Sequence, residues 1–376
     1  KKLFSYGCLI IMNTHMEKGG SAYCFHADTE GLTFRQAFID AGADTKWQSE
    51  GFDRSILENA MYAGRYGDEG KAIFKAVLAT KPDIDRMDAR FGRPIMHSML
   101  NHASDWGTDL IEYMFACGAD PNLLQNDKGS SGPRKTPLLF DAIAGIGGGP
   151  LPVEFVQVFL KSGANPNISN ARGETALHHA LDNKARDAFN ALLEAGADPN
   201  KANEKGETPL FCAVDEGADL AFIKALLQHK ADVNIAAAKR NNNTPLIEAS
   251  RSWDKDGEEL LDLLLTSGAD PNAQVANGRT ALIFAVRDNK AGMIKKLLDN
   301  GADPNLADKD GIVPVIYAIR AQNVETVRLL AEKGADMKVK IKYKNGEMVS
   351  LAELVDLQSE AWKISEEMKA CISELA

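Results

Sequence analysis

Residues 163–195 read Gly163-Ala-Asn-Pro-Asn-Ile-Ser-Asn-Ala-Arg-Gly-Glu-Thr-Ala-Leu-His-His-Ala-Leu-Asp-Asn-Lys-Ala-Arg-Asp-Ala-Phe-Asn-Ala-Leu-Leu-Glu-Ala195, and Gly196 starts the pattern again. Thr175 is placed to cap the exposed N–H groups of a helix over Ala-Leu-His-His-Ala. Phe189-Asn-Ala-Leu-Leu193 has the three-and-four spacing of a second amphipathic helix. Gly196 stops that helix, because the position after a helix end favours positive φ. Asp or Asn with Pro then builds a turn. The stretch predicts one unit of turn, helix, turn and helix.

The unit recurs. Gly118-Ala-Asp-Pro-Asn122, Gly196-Ala-Asp-Pro-Asn200, Lys230-Ala-Asp-Val-Asn234, Gly268-Ala-Asp-Pro-Asn272 and Gly301-Ala-Asp-Pro-Asn305 repeat the opening pentapeptide. Looser copies lie at Gly42-Ala-Asp44, Asp83-Ile-Asp85 and Gly334-Ala-Asp336. From residue 118 the steps are 45, 33, 34, 38, 33 and 33 residues, so the base period is 33 with insertions. Thr208-Pro-Leu, Thr244-Pro-Leu, Thr280-Ala-Leu and Thr136-Pro-Leu supply the second landmark, where Pro fits a first helical turn. A fixed period of this size marks stacked repeats rather than separate globular domains.

Composition agrees with that organisation. The 376 residues include 31 Gly and 14 Pro, spread singly as punctuation. With 43 basic against 53 acidic side chains the net charge is −10, which argues against a phosphate-backbone ligand. No apolar run approaches the length of a membrane-spanning helix. The five Cys have no metal or disulfide spacing, which suits a reducing compartment.

The chain resembles the ankyrin repeat family, with its 33-residue period and its Thr-Pro-Leu-His and Gly-Ala-Asp motifs. The resemblance implies an all-α ankyrin-repeat solenoid of helix-turn-helix units with β-hairpin fingers. It implies about eight full repeats over 30–338, a helical C-terminal cap over 339–376, and an N-terminal segment, 1–29, that is signal-like or capping. Residues 32–41 are expected to form a cap helix, and Ser350–Leu357 and Ala361–Leu375 two more. The sequence departs from the pattern in places. Lys81-Pro82 replaces Gly-Ala, Val313 replaces the capping Thr, and Asp141 stands where Ala180, Ala213, Ala249, Ala285 and Ala318 let helices approach.

Insertions are expected between paired helices around Gly64–Gly70, Ala103–Thr108, Gly145–Pro152, Gly217–Asp219 and Ser252–Gly257. Two more, Asp127–Lys135 and Ala236–Arg240, fall in fingers. Tyr62, Tyr66, Trp106 and Trp253 on these insertions either form a second contact surface or fold back to fill gaps.

No catalytic constellation emerges. Cys24 and His26 lack a third member. Gly64-Arg-Tyr-Gly-Asp-Glu-Gly-Lys71 has the wrong spacing for a phosphate loop, and Ala72 replaces the required hydroxyl. His178 and His97 occupy a motif position whose ring bonds to the neighbouring finger. His179 faces the inner surface. We expect no enzyme activity, no cofactor, no metal site and no catalytic residue.

The resemblance implies a protein-interaction module, binding through its concave face and finger tips. The family's contact positions fall on Arg172, Glu174, Asp182 and Asn183, then on Glu204, Lys205, Glu207, Asp215 and Glu216. The later units contribute Asn277, Arg279, Arg287 and Asp288, then Lys309, Asp310, Tyr317 and Arg320. The first two groups are net acidic, so a protein partner with a basic patch is expected, with no nucleic acid. The chain is read as a monomer without a transmembrane segment, cytoplasmic unless residues 1–22 direct export. Two other roles fit: an inhibitor, immunity protein or regulatory subunit of a dedicated enzyme, or a bacterial effector delivered to a host.

Overall fold

A computed structural model describes residues 57, 61, 68–79, 81–87, 93–129, 132–145, 149–252, 257–342, 347–358 and 361–375. The expected N-terminal segment, the 32–41 helix, Tyr62, Tyr66 and Trp253 lie outside the described residues. Contacts divide the chain into two compact units, meeting in sequence at Asp198 and Pro199.

In the first unit Leu57 and Met61 are helical, and α1 (Asp68–Ala79) follows, so the last residues of the expected Gly64–Gly70 loop are helical. Next come α2 (Ile95–Leu100), the short α3 (Ala103–Trp106) and α4 (Thr108–Ala116). The finger insertion forms an antiparallel hairpin, β1 (Leu124–Gly129) with β2 (Gly132–Pro137), registered Leu124 to Pro137 and Gly129 to Gly132. Two helix pairs follow: α5 (Leu138–Ala144) with α6 (Val153–Lys161), and α7 (Ala176–Asp182) with α8 (Arg186–Glu194). The first helices α5 and α7 pack together, as do the second helices α6 and α8.

The second unit repeats the pattern. Its pairs are α9 (Pro209–Asp215) with α10 (Leu220–Gln228) and α11 (Pro245–Arg251) with α12 (Gly257–Thr266). α13 (Ala281–Arg287) with α14 (Ala291–Asp299) and α15 (Pro314–Arg320) with α16 (Val324–Glu332) complete the series. A 3-10 turn, Ala238–Arg240, lies in the finger before α11. The end of the unit carries β3 (Ile341–Lys342), β4 (Met348–Val349), α17 (Leu351–Gln358) and α18 (Glu366–Leu375). The last helix starts at Glu366, not near Ala361, because Ser365 caps it by accepting from the Met368 N–H at 3.2 Å.

Local chemistry explains the elements. Thr208, Thr244 and Thr280 each accept the N–H three residues on, at 3.2, 3.3 and 3.3 Å, and so start α9, α11 and α13. Val313 makes no such bond at the start of α15. Ala180, Ala213, Ala249, Ala285 and Ala318 are fully buried where the helices meet. The pentapeptide's last residue also stitches neighbouring repeats together. Asn305 donates to the Gly334 carbonyl at 2.9 Å and accepts from the Asp336 N–H at 2.7 Å. Asn122, Asn167, Asn200, Asn234 and Asn272 make the same pair of bonds within their units. Each joins backbone groups that a helix end would otherwise leave unpaired.

Three sequence readings resolve in detail. Trp106 is fully buried with its ring 5.9 Å from Phe74, so it fills a gap inside the fold. His97 bonds not to a finger backbone but to the Asp141 carboxylate, at 2.7 Å. His178 accepts the Thr175 N–H at 3.1 Å and so helps close the start of α7.

Candidate partner-binding surface

The contact positions expected from the sequence come from two places in each repeat: the finger before the first helix and the C-terminal end of that helix. In the first unit, Arg172 is exposed in a finger and its guanidinium lies 3.7 Å from Glu174. Glu174 is half-buried, because Asn170 donates to its carboxylate at 2.7 Å. Asp182 is exposed at the end of α7, and Asn183 turns back to donate to the His179 carbonyl at 2.8 Å. His179 stacks on Phe140 with ring centroids 4.6 Å apart. Burial holds its imidazole pKa below the usual value, against the pull of Asp141 and Glu174.

The second unit holds the other predicted positions. Glu204 and Lys205 are exposed at a finger tip. Glu207 is only 6% exposed. Asn203 donates to one of its oxygens at 3.0 Å, and Arg240 approaches the other at 3.1 Å. Arg240 also pairs with Asp215, which is exposed at the end of α9 beside Glu216. Two of the four expected acidic contacts on this repeat, Glu207 and Asp215, are therefore already engaged by an arginine of the next finger.

Farther along, cations sit on rings. Arg251 and Arg287 lie 5.6 and 5.1 Å from the Phe284 centroid. Arg287 also donates twice to Asp288, at 2.8 and 3.2 Å, which keeps it firmly charged. Arg279 lies 3.6 Å from Asp308 and above Tyr317, whose hydroxyl donates to Asp308 at 2.6 Å. Tyr317 is buried, and burial together with that bond raises its pKa. Arg320 is exposed between the Tyr317 and Trp362 rings, 5.9 and 4.7 Å away. Asn277, Lys309 and Asp310 are exposed in fingers.

A polar groove of about 260 Å³ opens between the ends of α9, α11 and α13, lined by Asp215, Glu248, Arg251, Arg287 and Asp288. Burial raises the Glu248 pKa, with the nearby Arg251 opposing it. At the groove's side, Lys290 donates to the carbonyls of Ser250 and Ser252 at 2.9 and 2.6 Å, and burial lowers its pKa. Sequence reading found Asp215, Arg287 and Asp288 but missed Arg240, Glu248, Arg251 and Phe284. The missed residues lie on a finger insertion and on helix faces that the repeat motif does not flag. Among the described residues no group of His, Cys, Asp and Glu could hold a metal ion, and no helix is long and apolar enough to cross a membrane.

A family model of ankyrin repeats matches three times, over residues 100–203, 195–275 and 253–341. The chain belongs to the ankyrin repeat family. The ankyrin repeat domain of Bcl-3, a member of the IkappaB protein family, superimposes on 64% of this chain and 99% of its own, with TM-score 0.52 and 22% identity. An ankyrin repeat domain from Acinetobacter baumannii AYE covers 48% of this chain and 92% of its own, with TM-score 0.45 and 30% identity. The E3 ubiquitin-protein ligase KEG of Arabidopsis thaliana is 33% identical over 148 residues, 37% of this chain. The chain spans 9% of that ligase's length.

Proposed function

We propose that this ankyrin repeat protein is a non-enzymatic binding module for one protein partner, engaged through its finger tips and the ends of its first helices. Ankyrin repeats are general protein-interaction modules, and stacked helix pairs present many side chains on a rigid support. Little ordering entropy is then lost on binding. The observation that carries the reading is the placement of Glu204, Asp215, Glu216, Arg287 and Arg320. All five are exposed at finger tips or first-helix ends of the second unit.

The partner's matching segment is basic where it meets Glu204, Asp215 and Glu216. Complementary charge there sets orientation and association rate more than raw affinity. The test is capture from lysate by the wild-type chain and by a Glu204→Lys, Glu216→Lys variant. Both side chains are exposed, so folding is expected to survive. A partner retained by the wild type and lost by the variant supports the surface; equal capture removes it.

A further inference from the structure

Arg240 behaves as a ligand in its own protein. It stands on the 3-10 turn of the finger insertion, followed by Asn241 and Asn242 with φ of 61° and 58°. That bend returns its side chain onto the preceding repeat. Its Nε lies 3.1 Å from Glu207 Oε1, and another guanidinium nitrogen donates to Asp215. The guanidinium centre sits 6.0 Å from the Phe211 ring centroid. Two carboxylates and an aromatic face around one flat cation are the groups that select guanidinium over ammonium.

Three further observations make this more than a structural clamp. The Arg240 side chain remains 46% exposed, so it is held at the surface rather than enclosed. Glu207 is buried to 7% side-chain exposure, with Arg240 at 3.1 Å and the exposed Lys205 at 3.8 Å, so losing Arg240 would leave its charge less well compensated. Asp215 also lines the 260 Å³ groove, which gives space for an incoming chain.

We propose that Glu207, Asp215 and Phe211 form an arginine-recognition site, filled by Arg240 in the free protein and entered by an arginine of the partner. This deepens the interaction reading above and rests on it. The partner's basic segment then carries an arginine at the contact, and Arg240 is the internal competitor that it displaces. An occupied site lowers apparent affinity by the fraction of time it is open.

The experiment measures fluorescence anisotropy with a labelled Gly-Ser-Gly-Arg-Gly-Ser-Gly peptide and its lysine twin, on the full chain. Arg240→Ala is expected to bind the arginine peptide about tenfold more tightly than wild type, as removal of a mostly bound competitor requires. The lysine twin is expected to gain less. Adding Asp215→Asn to Arg240→Ala is expected to erase the gain. The proposal falls if Arg240→Ala binds no better than wild type, if the lysine twin gains equally, or if Asp215→Asn leaves the gain intact. Should circular dichroism show Arg240→Ala unfolded, Arg240→Gln, which keeps most of the side chain's packing, is read by the same criteria. Failure here with continued sensitivity of partner capture to Glu204 and Glu216 would leave the interaction surface standing without its arginine site.

Discussion

Asp141 shows how one residue can leave its repeat's pattern and still be satisfied. It occupies the position of a buried alanine, yet His97 pairs with it at 2.7 Å and Gln125 donates to it at 2.6 Å. The substitution is visible in the sequence. Its partners are not, because His97 and Gln125 lie 44 and 16 residues away on other elements. On the same helix, Phe140 supports His179, and burial outweighs Asp141 in setting that ring's pKa. The folded state disfavours the charged imidazole. Its contribution to stability is therefore complete above the ordinary pKa of 6.5 and lost as pH falls through the lowered folded-state value. His179→Gln is expected to flatten the fall in melting temperature between about pH 7 and about pH 5. An unchanged slope, read by circular dichroism at several pH values, would mean that other groups set the acid sensitivity of the fold.

At the scale of the element, most of the architecture is legible. The caps at Thr208, Thr244 and Thr280, the alanine contacts and the glycine stops stand where the period puts them, because each acts through its own few neighbours; Thr136 instead lies in β2, and α5 starts without a side-chain cap. What the period hides is where a chain segment meets a different one. The hairpin of β1 and β2, the short α3 and the 3-10 turn bearing Arg240 all arise from insertions, and insertions carry no repeat signal. Lys81 and Lys230 show a related limit: they adopt φ of 56° and 66° where the other units place Gly. Among the described residues fingers meet closely at Gly206 and most closely at Gly278. Gly278 has φ of 82°, and a Cβ there would lie 2.7 Å from the Lys309 nitrogen of the next finger. Gly311 has φ of 75° but open space around it. Both sites share the cost of a left-handed alanine, about 1 kcal/mol. Gly278→Ala should therefore lower the urea midpoint clearly more than Gly311→Ala. Equal losses would show that the finger backbones move apart without cost.

For the whole molecule, stability in each unit comes from neighbour-to-neighbour interfaces, so an end that lacks a neighbour must be covered. The covering comes from α18. It packs on α16, and Val327 and Leu330 on α16 with Met368, Cys371 and Ile372 on α18 are each at most 1% exposed. The outward side of α18 carries Glu366 and Glu367, both exposed. The exposed Arg328–Glu374 pair also links the two helices, at 2.9 Å, but a solvent-screened pair contributes little. Apolar burial and the ion pair can be separated. A chain ended after Lys338 should bind a hydrophobic dye and lose several kcal/mol in the second unit, at about 1.5–3 kcal/mol for each large apolar side chain uncovered. Arg328→Ala, which leaves the apolar face covered, should melt with wild type. If the single substitution matched the truncation, charge rather than apolar burial would be holding the last helix in place.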